Sequence, residues 1–187
     1  MARELSGVAW VERFPTSKST DTLADGFRQK CEAFLAALKD AGATVSVNAT
    51  LRPPERAYLM HWSFAINALQ VEPGDVPPQP SVEIDWVHRK SNGSLDMAAS
   101  RGAAAAMVHG YDITFEPSLK SLHIFGKAID MSIGWSGTLK IKQKNGTAKS
   151  IGSLPRSGLN NDLWAVGAAY GVLKLPSDPP HWSSTGH

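Results

Sequence analysis

Apolar residues return every three or four positions at Leu23, Phe27, Cys31, Phe34, Leu35 and Leu38, which places them on one face of a helix. The mixed stretch 1–20, with Pro15, Ser17, Ser19 and Thr20, reads as a lead-in ending in a helix cap, and Gly42 is placed to stop the helix. The period then changes. Thr44-Val45-Ser46-Val47-Asn48-Ala49-Thr50 alternates strictly, as a half-buried strand does. Pro53 and Pro54 suit the first turn of a second helix, along which Tyr58, Trp62, Ala65, Ile66 and Leu69 share an apolar face. Four prolines and a glycine make 71–81 a surface loop, and an alanine-rich helix over about 94–108 ends at Gly110.

In the second half strands dominate. Residues 128–133 alternate, with Ile129, Met131 and Ile133 on one face and Ala128, Asp130 and Ser132 on the other. Residues 138–151 form a hairpin around Asn145-Gly146, 161–170 a helix stopped by Gly171, and 172–175 a last strand leading into Pro176-Ser177-Asp178-Pro179-Pro180-His181-Trp182. The pattern predicts an α+β chain, a small antiparallel sheet flanked by helices. It predicts a single domain over 1–187 with a loop-and-helix insertion at about 71–118.

Composition narrows the function classes. With 187 residues, 42% of them hydrophobic, the chain has material for a proper core. Its net charge of +2 and scattered lysines and arginines carry no nucleic-acid footprint. Lys140, Lys142, Lys144 and Lys149 read as the solvated face of the hairpin. The single cysteine, Cys31, excludes an internal disulfide and reads as a small buried hydrophobe. No charged-then-apolar leader opens the sequence and no apolar run approaches the roughly 18 residues of a membrane span, so the expectation is cytoplasmic synthesis without a signal peptide and no membrane insertion. A monomer is expected.

The segment Ser121-Leu122-His123-Ile124-Phe125-Gly126-Lys127-Ala128-Ile129-Asp130 carries the chemistry. His123 and Asp130 are too far apart for one helical turn, but a loop bent at Gly126 and entering a strand can aim both at one point. Imidazole and carboxylate are ordinary zinc ligands, and a catalytic zinc keeps three protein ligands and one open position. His181 is the leading third ligand. Asp178 precedes it by three residues, and polyproline geometry across Pro179-Pro180 would point both the same way, setting a base beside the metal. His61, His88 and His109 read as structural, and His187 as mobile.

Ser121, His123, Gly126, Ala128 and Asp130 reproduce the pattern S-x-H-x-x-G-x-A-x-D. This resembles the peptidase family containing VanY-type D-Ala-D-Ala carboxypeptidases, VanX-like dipeptidases and phage L-alanyl-D-glutamate endolysins. Asp178-x-x-His181 is similar to that family's second motif, although many members carry glutamate at the acid and an aromatic residue where this chain has Pro180. The resemblance covers about 20–185 and leaves 71–118 unexplained. It implies the Hedgehog/DD-peptidase fold, Zn2+ on His123, Asp130 and His181, and Asp178 as base and then acid. It also implies that Arg52 steadies a substrate carbonyl or carboxylate. Ser121 is expected to bond substrate or to orient the His123 loop, and Trp182 to sit in the core or to line the pocket floor against substrate.

The expected activity is hydrolysis of stem peptides of bacterial peptidoglycan, as an endopeptidase of the phage-endolysin kind or an exported effector reaching the cell wall after release or dedicated export. Two alternatives stand beside it: a D-Ala-D-Ala carboxypeptidase or dipeptidase, and a non-catalytic cell-wall-binding relative. A closed four-ligand zinc used only for stability is a third, and would need a further histidine such as His109.

Overall fold

The computed structural model describes residues 3–187. Its helices are α1 (Asp25–Asp40), α2 (Pro54–Asn67), α3 (Met97–Gly110) and α4 (Asn161–Tyr170). Its strands are β1 (Glu4–Leu5), β2 (Thr44–Ala49), β3 (Ile84–Asp85), β4 (Ala128–Gly134), β5 (Leu139–Lys142), β6 (Ala148–Ile151), β7 (Leu173–Lys174) and β8 (His181–Ser183). The fold is α+β, as the alternating periods predicted. The chain divides into two compact units. One combines residues 3–15 with Pro53–Ser121, and the other combines Thr16–Arg52 with Leu122–His187.

In the first unit α2 and α3 bury Tyr58, Leu59, Ile66, Ala104 and Met107 around Trp10 and Trp86, while β1 and β3 pair in parallel. The 71–118 stretch lies inside this unit, which also takes in α2 and residues 3–15. His61 bonds the Pro117 carbonyl at 2.9 Å, His88 faces the Ser6 hydroxyl at 3.0 Å, and His109 is exposed on α3.

The second unit holds the sheet β2-β4-β8-β7, all antiparallel, and the separate β5–β6 hairpin. Its core draws Phe27, Cys31, Phe34 and Leu38 from α1, Leu163 and Val166 from α4, and Ile129, Met131 and Trp182 from the sheet. The three- and four-residue spacing on α1 therefore faces this core. The helix begins at Asp25, later than the lead-in suggested, because Ser19 caps a separate 3-10 turn at Thr20–Thr22. It ends as expected. The amides of Gly42 and Ala43 return to the carbonyls of Lys39 and Leu38, and Gly42 takes the positive φ of 84° that this closure demands. Helix α4 starts on Asn160, whose side chain accepts from the amides of Asp162 and Leu163 at 2.9 and 3.2 Å.

Two features of the sheet were not read from the pattern. β8 is a three-residue strand pairing with both β4 and β7, and Pro179-Pro180 before it lies in a tight turn. That turn is closed by the His181 amide on the Asp178 carbonyl at 3.1 Å, in place of the expected polyproline run, because β7 must reverse into β8 within six residues. β2 pairs with β4 with a register shift between Val47 and Ala49, a bulge at Asn48. Such a bulge bends the strand and re-aims the residues beyond it.

No helix among the described residues is long and apolar enough to cross a membrane.

Candidate metal centre

The centre is built from the register of β4 and β8. Asp130 stands directly opposite His181, and side chains opposite one another on antiparallel strands share a face with Cβ atoms about 5 Å apart. Their neighbours Ile129 and Trp182, also paired, point the other way into the core. His123 arrives from the 3-10 turn Leu122–Phe125 just before β4. Gly126 makes this entry possible. Its φ is +62°, and a Cβ there would stand 2.9 Å from the Ala24 amide nitrogen and 3.0 Å from the Thr22 oxygen, both backbone atoms.

Three ligand-type atoms meet in a nearly equilateral triangle. His123 Nε2 lies 3.1 Å from Asp130 Oδ1, His181 Nδ1 lies 3.1 Å from the same oxygen, and the two nitrogens are 3.2 Å apart. His123 and His181 are buried, at 3% and 6% exposure, and the Asp130 side chain is 19% exposed. The outer nitrogen of each ring faces a carbonyl: His123 Nδ1 donates to Thr50 at 2.6 Å, and His181 Nε2 donates to the main-chain oxygen of His187 at 3.2 Å. Each outer bond is donated by the ring to an oxygen, which leaves the other nitrogen of each ring turned inward toward Asp130. The carboxylate oxygen and the two imidazole nitrogens then face one another, an arrangement that a cation satisfies.

Protons can play that part. Burial pushes the Asp130 carboxyl up, but hydrogen bonds from His123 and His181, and charge on those rings, outweigh it and hold the carboxyl well below the usual carboxylate range. A divalent ion satisfies all three atoms at once. A tetrahedral ion with ligands at about 2.1 Å needs them about 3.4 Å apart, a few tenths of an ångström beyond the spacing here. Metal-bound histidines also habitually donate their other nitrogen to a carbonyl or carboxylate, as both rings do. His123, Asp130 and His181 could thus hold a metal ion.

The remaining expected residues fall in different places. The Arg52 amide donates to the His123 carbonyl at 3.1 Å, so Arg52 joins the same local structure. Asp178 is exposed in the β7–β8 connection, its amide on the Leu175 carbonyl at 3.2 Å. Ser121 is half-buried at the end of the first unit. Of the two places expected for Trp182, the core and the pocket floor against substrate, it takes the core. It is fully buried against Phe34, ring centroids 5.5 Å apart, because the alternation of β8 turns it away from the face that carries His181.

Residues that the sequence did not point to complete the site. Thr50 is fully buried, and its hydroxyl meets the Thr22 hydroxyl at 2.9 Å and the Ser19 carbonyl at 3.0 Å, which holds its own carbonyl on His123. His187, read as mobile, is tied by Ser183 Oγ at 2.9 Å as well as by His181. An open groove of about 440 Å³ runs along Met131–Ile133 of β4, lined also by Asn48, Gly158, Leu159, Pro179 and Pro180, and His123, Asp130 and His181 are not part of its lining. Asn48 Nδ2 donates to Ser132 Oγ at 2.8 Å, and among the described residues none that lines the groove is charged. Lys174 is buried within β7. Burial lowers its pKa, while Asp178 and Asp130 act to raise it. None of these carries a residue-type signal except Lys174, the one charged residue in the apolar run 172–175.

No family model matches the chain, and no curated protein matches it significantly.

Proposed function

We propose that this protein is a zinc-dependent peptidase acting on stem peptides of bacterial peptidoglycan, with an endopeptidase reading preferred and a fold of the Hedgehog/DD-peptidase kind. The observation that carries the reading is the inward triangle of three ligand-type atoms, each histidine held from behind by a main-chain oxygen. Support for the substrate class comes from the resemblance of the Ser121–Asp130 pattern, and of Asp178-x-x-His181, to peptidases of the bacterial wall.

His123, Asp130 and His181 would hold the zinc. Zinc in such a site supplies Lewis acidity and lowers the pKa of water, the chemistry that peptide hydrolysis at neutral pH requires. Asp178, exposed three residues before His181, takes the proton from the attacking water and returns it to the leaving amine. Arg52 steadies the substrate carbonyl or carboxylate with its fixed fork of donors. The uncharged groove along Asn48, Ser132 and the two prolines accommodates a small neutral residue of an extended peptide. The protein acts as a monomer on wall material.

The test is mass spectrometry of products from purified wall and, separately, from a free pentapeptide, each with zinc-loaded protein. New amino termini within the stem are expected. Release of terminal D-alanine alone would make the protein a carboxypeptidase. Zinc uptake with no hydrolysis, but co-sedimentation with insoluble wall, would make it a binding module.

A further inference from the structure

Lys174 occupies a position where an ammonium is unusual: the end of a two-residue strand, 8% exposed, with its Nζ 5.8 Å from the centroid of the fully buried Trp182 ring. Its Nζ donates to the carbonyls of Leu175, Asp178 and His181, the last at 3.0 Å. An ammonium has three protons and no acceptor, so three carbonyls satisfy it. Leu175 and Asp178 lie in the connection between β7 and β8, and His181 is the first residue of β8.

Main-chain bonds hold the same connection, among them the Asp178 amide on the Leu175 carbonyl at 3.2 Å, and His181 is also paired with Asp130 of β4. β7 and β8 pair through only Leu173↔Ser183 and Lys174↔Trp182. Beyond them, the Leu175 amide reaches the His181 carbonyl at 3.1 Å, and the Met131 amide reaches the Pro180 carbonyl at 2.8 Å. The Asp178 carbonyl receives a bond from the His181 amide and another from Lys174. A methionine would fill the same space without a charge to satisfy, so the cation is explained by the carbonyls it gathers.

We propose that Lys174 is a positioning residue for the candidate centre, its ammonium clamping the β7–β8 connection so that the Asp178 carboxylate and the His181 imidazole keep a fixed separation. The inference rests on the reading of His181 as a metal ligand and adds to it a residue outside the ligand set.

Zinc affinity, by competition with a chromophoric chelator, and the visible absorption of the Co(II)-loaded protein are the readouts. For Lys174→Met the expected result is a zinc Kd raised about 10–100-fold, the range typical of losing a group that orients a ligand, with an altered cobalt band. Lys174→Gln, which keeps two N–H donors, recovers part of the loss. A merely structural lysine would lower the melting temperature of the metal-free protein and leave both metal readouts unchanged. A folded Lys174→Met protein binding zinc within about twofold of wild type, with the same cobalt spectrum, overturns the proposal. Should that variant not fold, 15N-lysine spectra of the wild-type protein decide. One ammonium signal protected from exchange and shifted by zinc is expected, and a Lys174 signal that exchanges like the surface lysines or ignores zinc overturns the clamp. A wild-type protein that takes up no divalent metal fails differently, because it removes the metal reading itself and this inference with it.

Discussion

At the scale of single residues, the centre sets one carboxylate against two imidazoles, and Asp130 is the member whose charge decides it. Its carboxyl titrates lower in the fold than in the unfolded chain, so the ionised form favours the folded state. The metal-free protein therefore gains stability from Asp130 above the ordinary aspartate value near 3.9 and loses it as pH falls below that value. Asp130→Asn should cost about 1–3 kcal/mol at pH 7 in metal-free protein, shrinking below about pH 4, measured by denaturant titration across pH. The same variant should weaken zinc binding by at least about 100-fold, more than the loss of an orienting group. Cys31 makes a simpler case. Burial pushes its thiol up to about 12, so it should stay unmodified by a thiol reagent at pH 8 and react fully once the protein unfolds. The candidate ligands were legible because histidine, aspartate and their spacing are chemical signals in themselves. The groups that orient them were not, since Thr50 and His187 act through main-chain oxygens that any residue possesses.

At the scale of elements, the period of the hydrophobic pattern located α1, β2, α2 and β4, because each presents a long enough face to a core, while the turn residues Asn145-Gly146 located the β5–β6 hairpin and Gly171 the end of α4. It could not locate β8. Three residues carry too little alternation, and Pro179-Pro180 argues for extended polyproline when a reversal is what the sheet needs. The bulge at Asn48 was equally silent, since one extra residue in a strand leaves the composition untouched while turning the Thr50 carbonyl onto His123. Gly126 links element to site more directly. An added methyl would meet backbone atoms of residues 22 and 24, which have no flexible end to give way, and would also be held at a positive φ. Gly126→Ala should destabilise the second unit by about 2–3 kcal/mol and lower zinc affinity, because the strain falls on the turn that carries His123. An exposed glycine such as Gly146, at φ +88° with nothing near its Cβ, supplies the control: its alanine variant should lose stability and leave zinc affinity unchanged.

At the scale of the whole molecule, the question is whether the candidate ion builds the fold or only uses it. The second unit buries Phe34, Leu38, Ile129, Met131, Leu163 and Trp182 almost completely in a core independent of the three ligands, and the first unit has its own core around Tyr58, Leu59, Ile66 and Trp86. A chain with that much apolar surface buried does not need a metal to fold, unlike the small zinc domains that unfold when stripped. Chelation should therefore leave the near-ultraviolet circular dichroism of the tryptophans in place, while the proposed hydrolysis of wall peptides should stop. The ion should still contribute by mass action, about 2.7 kcal/mol at a hundredfold excess over its Kd, which for a chain of this length raises the melting temperature by roughly 5–10 °C. Differential scanning calorimetry of stripped and zinc-loaded protein measures both sides of the argument. Loss of the folding transition on stripping would mean that the centre is structural, and an unchanged transition at saturating zinc would mean that His123, Asp130 and His181 bind no ion at all.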